Sequence, residues 1–212
     1  MIVQHITTGY GKKQVLTDVA FEVGEGEMVL LTGGNGSGKS TVLKTIYGLL
    51  TPWMPEGKII FDGNDITAAP VAEMIRHGIA YMPQKKNVFE DMTVEENLLT
   101  SAAVYSKAEA AERAQKVYET LPPLGSMCKR TPFHMSGGER QLLAFGNVLV
   151  HSPKLFLLDE PFAGADAENS TLLQKCIADM NHNGVSGIIV EHKRQLIDGV
   201  VNKVIGLELG RM

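Results

Sequence analysis

The chain is short of cysteine, has no long apolar run and carries no basic cluster, and each shortage removes a class of protein. Only two cysteines, Cys128 and Cys176, occur in 212 residues. They lie far apart and match no metal-ligand spacing, which excludes a disulfide framework and a thiolate metal centre and points to buried or idle thiols in a reducing compartment. No apolar stretch reaches the roughly 18 residues that a membrane-spanning helix needs. The opening MIVQHITTGY lacks the basic and apolar regions of a secretory signal. The expectation is a soluble chain whose membrane role, if it has one, runs through partners. A formal net charge of −4 with no basic run leaves no electrostatic stripe for nucleic acid.

What is present is an alternation of strands and helices of a length that suits one domain. Val19–Val23, Lys58–Phe61 and Ile79–Met82 read as strands, the first two closed by glycine-rich turns and the third stopped by Pro83. Met28–Leu31, Leu155–Leu158 and Gly187–Val190 are continuous apolar runs, as expected of parallel strands buried on both faces. Val42, Leu43, Ile46, Leu49 and Leu50 give the three-four spacing of a helix packed on a sheet. Further helices are expected over about 165–182 and 193–199. The stretch 87–133 differs in kind and reads as a helical insertion: Thr93-Val94-Glu95-Glu96 and Ser106-Lys107-Ala108-Glu109 are capping boxes. Glu109 with Arg113 and Glu112 with Lys116 follow in the favourable four-residue order, and Pro122, Pro123 and Gly125 end that helix. There is no internal repeat and no low-complexity tract. The fold class is α/β.

Between the strand at Met28–Leu31 and the helix after it stands Gly33-Gly34-Asn35-Gly36-Ser37-Gly38-Lys39-Ser40, which fits G-x-x-x-x-G-K-[ST]. Glycines let the backbone turn sharply and aim successive N–H groups into an anion-binding concavity, and the following helix adds its positive end. Lys39 can reach terminal phosphates and the Ser40 hydroxyl can ligate Mg²⁺, with Thr41 next in the nucleotide-binding stretch. Leu155-Phe156-Leu157-Leu158-Asp159-Glu160 is an apolar strand ending in two carboxylates. Strand C-termini gather where the phosphate loop sits, and successive strand side chains face opposite ways. The two acids therefore divide the work: one holds Mg²⁺ and the other polarises the attacking water. Ser136-Gly137-Gly138-Glu139-Arg140-Gln141 opens a helix to about Val150. S-x-x-E is itself a capping box, yet glycines in a first turn weaken a helix and suit a close approach of N–H groups to phosphate.

MSGGERQ, just upstream of LFLLDE and well downstream of GGNGSGKS, resembles the signature motif of ABC ATPases. The likeness covers nearly all of the chain. It implies the P-loop NTPase fold of an ABC ATPase, with a RecA-like core, an antiparallel β subdomain and an inserted α-helical subdomain. Residues 1–86 and 134–212 would form core and β subdomain, and 87–133 the helical part, all in a single ABC ATPase domain. The cofactors implied are ATP and Mg²⁺. The resemblance gives Tyr10 to adenine stacking, and Gln84 to Mg²⁺, to the water and to signalling toward the membrane partner. It gives His192 to the terminal phosphate and Asp166 to the link between two subunits. It makes Glu160, His192 and Gln84 the catalytic set and Ser40, Gln84 and Asp159 the metal set. Ser136, Gly137, Gly138 and Glu139 would face the nucleotide of a second ATPase subunit, a copy or a paralogue. Transmembrane permease subunits are the other partner implied, placing the chain in the cytoplasm at the inner face of the membrane.

The chain departs from the pattern at Met135, at Glu139, in the loop Phe162–Ala167 and at Phe145-Gly146-Asn147, where an Ala-Arg pair is common. It stops at Gly210-Arg211-Met212, and no regulatory domain is expected. GYGKKQVL, DGNDIT and NVFEDMTVEENLL look most like the ATPase subunits of branched-chain amino-acid or urea importers, while PQKKNVF and DEPFAGAD also resemble lipopolysaccharide-export ATPases. The insertion is too short for the coiled coils of DNA-repair relatives, and each motif occurs once, unlike in two-cassette translation factors.

Overall fold

The computed structural model describes residues 1–67 and 69–212. In chain order the elements are β1 (Ile2–Tyr10), β2 (Lys13–Glu22), β3 (Met28–Thr32), α1 (Lys39–Ile46), β4 (Lys58–Phe61), β5 (Asn64–Asp65), α2 (Val71–Arg76) and β6 (Ile79–Met82). There follow α3 (Val94–Ser101), α4 (Lys107–Thr120), α5 (Pro122–Ser126), α6 (Gly137–Leu149), β7 (Leu155–Asp159), α7 (Ala167–His182), β8 (Ser186–Val190) and β9 (Lys203–Gly206). An antiparallel sheet has the order β2-β1-β4-β5, and a parallel sheet the order β6-β7-β8-β3-β9.

The apolar runs become the centre of the parallel sheet because both of its faces are covered. Leu30, Ala80, Met82, Phe156, Leu158 and Ile189 join one core, shared with α3, α4, α6 and α7. Val29, Leu31, Ile79, Leu155, Leu157, Ile188 and Val190 join the other, shared with α1 and the antiparallel sheet. With period two, β3, β6, β7 and β8 each feed both cores and have no polar face to show. All five residues of β7 are buried, and its C-terminal end delivers Asp159 beside the N-terminus of α1.

Several local expectations are corrected. The helix after the phosphate loop stops at Ile46, and Leu49 is left 50% exposed. Gly48 takes φ 76°, the Leu49 N–H donates to the Lys44 carbonyl and the Gly48 N–H to that of Thr45, a left-handed terminator that overrides the apolar spacing. Pro122 and Pro123 do not simply end a helix. They open α5, where a first turn needs no proline N–H. The helix expected over 193–199 is a single 3₁₀ turn at Arg194–Leu196, too short to offset helix nucleation. The Ser106 capping box is half made: Ser106 accepts from the Glu109 N–H, but the Glu109 carboxylate is turned to Arg113 at 3.0 Å. Sequence patterning did not find β1, because register shifts at Val3–Ile6 and Ile6–Thr8 break its alternation.

Candidate functional site

The phosphate loop leaves β3 and enters α1 through Gly38, in a left-handed conformation at φ 107°. A Cβ there would lie 2.7 Å from Leu16 Cδ2, so glycine is required by both backbone and space. A Cβ on Gly33 would meet the Leu207 carbonyl at 2.1 Å. The start of α1 differs from the other long helices. Thr93, Ser106, Ser136 and Asp166 each cap a helix with a side-chain oxygen, whereas α1 has no side-chain cap. Its first N–H groups therefore carry the helix dipole unspent.

Two further observations fit an anionic ligand. The Ser37 hydroxyl is buried inside the loop with no hydrogen-bond partner. Lys39, only 6% exposed, donates its ammonium to the Gly33 and Gly34 carbonyls at 2.9 and 3.0 Å. A buried ammonium resting on two loop carbonyls is a cation waiting for a better acceptor, and phosphate is one.

The Ser40 hydroxyl donates to an Asp159 carboxylate oxygen at 3.1 Å. Burial pushes the Asp159 carboxyl above its usual range, against the pull of that hydrogen bond and of Lys44 and Lys39. Among the described residues no group of three or more His, Cys, Asp or Glu gathers to hold a metal. Two hard oxygens beside a phosphate cradle, and no full cage, fit Mg²⁺, which keeps waters and takes phosphate oxygens.

Glu160 follows Asp159 and leaves the strand at φ 53°, an uncommon conformation for a non-glycine residue. The turn separates the two acids: Asp159 is 2% exposed against Ser40, and Glu160 faces the cleft. His192, just past β8, brings Nε2 to 3.4 Å from a Glu160 carboxylate oxygen.

A cleft of about 710 Å³ is lined by Tyr10, Asn35, Gly36, Gly38, Lys39, Ser40, Thr41, Gln84, Glu160 and His192, together with Lys13 and Val15. Residues from β1, the phosphate loop, the end of β6, the end of β7 and the end of β8 thus converge on one space. Tyr10 is 44% exposed, with the Lys44 ammonium 5.7 Å from its ring centre. Lys13 and Val15 carried no motif and were missed.

The remaining residues of the expected set do not join that cleft. Gly33 and Gly34 back onto a separate recess beside Leu207 and Arg211. Ser136, Gly137, Gly138 and Glu139 are absent from the cleft wall. Ser136 is exposed and makes a full capping box: it accepts from the Glu139 N–H at 3.1 Å, and its own N–H donates to Glu139 at 2.7 Å. The remaining Glu139 oxygen pairs with Arg130 at 3.1 Å, and the Ser136 N–H leads in holding its carboxyl below the usual range. Asp166 caps α7 through the Asn169 N–H at 2.9 Å, and a Cβ on Gly138 would sit 2.6 Å from Asn169 Nδ2.

The family model of the ABC transporter matches residues 16–163. The chain belongs to the ABC transporter family. It is an ABC ATPase, and ATP and Mg²⁺ are the cofactors of that family. It is 36% identical over 207 residues to the high-affinity branched-chain amino acid transport ATP-binding protein BraG of Pseudomonas aeruginosa, covering 98% of this chain and 88% of that one. It is 32% identical over 198 residues to the lipopolysaccharide export system ATP-binding protein LptB of Haemophilus influenzae, covering 92% and 81%. Among solved structures, a nucleotide-free ATP-binding cassette from an ABC transporter superposes with a TM-score of 0.87 at 27% identity, covering 99% of this chain and 88% of that one. The ABC ATPase fold expected from sequence is the fold observed. Among the described residues, no helix is long and apolar enough to cross a membrane.

Proposed function

We propose that this ABC ATPase is the motor of a transporter, in which two copies, or this chain and a paralogue, close over two ATP molecules and drive a separate permease. One observation carries the proposal: the signature residues Ser136, Gly137, Gly138 and Glu139 lie outside the cleft that the other expected groups line. Tyr10, the phosphate loop, Gln84, Glu160 and His192 share one space, while Ser136 presents an exposed helix start elsewhere on the surface. A second subunit placed head to tail would bring its Ser136-Gly137-Gly138 over the phosphates, and Asp166 beside Gly138 would lie at that junction. In this reading residues 1–86 and 134–212 form the core and β subdomain, and 87–133 the helical subdomain.

In this reading the residues take the roles that the family resemblance implies. Tyr10 stacks on adenine, and Lys39 exchanges the loop carbonyls for phosphate oxygens. Ser40 and Asp159, with Gln84 on the cleft wall, would hold Mg²⁺, which would supply positive charge against the phosphates. Glu160 takes the proton of the attacking water as its oxygen bonds the terminal phosphorus and the bond to ADP breaks. His192, 3.4 Å from Glu160, contacts the same phosphate. On both sides of Gln84 the chain lines a groove of about 260 Å³, through Pro83, Asn87 and Phe89 among others, with Phe89 53% exposed. That groove suits a permease element, because it flanks Gln84. Asn97, buried in α3, holds its rim through the carbonyls of Phe89, Met92 and Thr93 at 2.9 to 3.0 Å.

The relative of known transport role at 36% identity favours import of amino acids or a similar small solute, with the chain cytoplasmic at the inner membrane face. The lipopolysaccharide export relative supports a second reading, a lipid exporter. Mixing two inactive variants tests the shared site. Lys39→Ala spoils one half of each site and Ser136→Arg the other, so equimolar mixture should restore one working site per mixed dimer. Turnover of the mixture no higher than that of either variant contradicts the proposal.

A further inference from the structure

The carbonyl of Glu160 accepts a hydrogen bond from the side chain of Gln141 at 3.0 Å. Gln141 stands on α6 one turn past the signature glycines and is 5% exposed. Its other amide atom, Oε1, accepts from Asn87 Nδ2 at 3.3 Å, and the Asn87 carbonyl accepts from Asn147 Nδ2 at 3.3 Å. Asn87 and Asn147 both line the groove that flanks Gln84.

Chemistry fixes the direction of this chain of amides. A carbonyl only accepts, so the NH₂ of Gln141 must face Glu160 and its oxygen must face Asn87. Asn87 must in turn present its own NH₂. One orientation of the amides satisfies the set.

The end of the chain is a residue whose backbone needs support. Glu160 sits at φ 53°, and such a conformation persists only where its surroundings over-determine it. Its N–H donates to the Val190 carbonyl at 2.8 Å, and its carbonyl is held by Gln141. We propose that Gln141 is a positioning residue for ATP hydrolysis, and that Asn87–Gln141–Glu160 relays the state of the groove to the carboxylate that polarises water. The relay rests on the reading of Glu160 as that group.

A shift of Asn87, on the groove wall, pulls on Gln141 Oε1 and frees or tightens Glu160 at its carbonyl. Asn147, one of the positions at which α6 departs from the sequence pattern it resembles, takes part by holding the Asn87 backbone. The side chain of Gln141 lies outside the cleft wall, so its loss should act on turnover and leave ATP binding alone.

The test uses the purified chain with Mg–ATP. Gln141→Met removes both hydrogen bonds at similar volume without burying a charge, and kcat should fall on the order of ten- to a hundredfold, as for a misplaced catalytic group. Equilibrium ATP affinity should stay within about threefold, since binding and chemistry are separable in this way. Asn87→Ala, at a partly exposed position, should lower kcat less, and in the Gln141→Met background it should add nothing, because it acts through the same bond. Unchanged kcat in Gln141→Met, a loss matched by weaker ATP binding, or losses that multiply in the double variant overturns the relay. Glu160→Gln in the same series separates the two failures: wild-type turnover there overturns the catalytic reading, whereas an inactive Glu160→Gln beside a fully active Gln141→Met overturns the relay alone.

Discussion

His192 Nε2 lies 3.4 Å from a carboxylate oxygen of Glu160, so the end of β8 and the end of β7 place an imidazole and a carboxylate on one side of the cleft. The pairing follows from register, since Asp159 stands opposite Val190 in the parallel ladder. Each acidic or basic group then turns into the cleft one or two residues later.

Replacing Glu160 by Gln keeps the size of the side chain and removes its capacity to take a proton. Steady-state phosphate release should drop by a factor on the order of 10²–10⁴, the usual worth of a positioned general base. Phosphate release within threefold of wild type would remove Glu160 from the mechanism.

Lys39→Ala deletes the buried ammonium that now rests on Gly33 and Gly34. Calorimetric titration with ATP should detect no binding at concentrations that saturate the wild type, while the melting temperature stays close to wild type. Unaltered affinity would show that the loop is not the phosphate site.

Gly138→Ala places a methyl group against Asn169 Nδ2 and the Asp166 carboxylate, which now hydrogen-bond at 2.9 Å. The side-chain amide can yield, so the chain should fold. ATP affinity of the single chain should be unchanged and turnover should fall at least about tenfold, as when a transition-state contact alone is lost. Equal losses in affinity and turnover would place Gly138 in the cleft of its own chain.

His151 is packed against Tyr105, with Arg113 stacked 3.9 Å over the Tyr105 ring. Burial, with the Arg113 charge second, pushes the imidazole down to about 4. The folded chain thus favours the neutral ring. Its contribution to stability is intact above the ordinary value of 6.5 and is lost as pH falls from there toward about 4. His151→Gln should flatten the decline of chemical-denaturation midpoint between those limits, and parallel wild-type and variant curves would refute the assignment.

Much of this was legible in the sequence because the glycines, Lys39, Ser40, Asp159 and Glu160 stand at spacings that only a strand-loop-helix geometry can use. The strand centres were legible for the same reason: continuous apolar runs have no other buried home in a chain of this kind. What escaped depended on register or on space. The bulges of β1 erase its alternation, and Lys13 enters the cleft only because a hairpin folds it there. Gln141 stands within MSGGERQ, a motif that gives it no partner. A glutamine next to Leu142 and Leu143, on the buried side of α6, was the signal that its amide had a fixed partner. Leu49 misled because apolar spacing cannot register the left-handed turn at Gly48.

The most direct measurement is the mass of the Glu160→Gln chain by light scattering with and without Mg–ATP. A particle of twice the 23.0 kDa chain mass, formed only with ATP and holding two nucleotides, is the predicted result. A particle of single-chain mass with ATP bound would contradict the shared site.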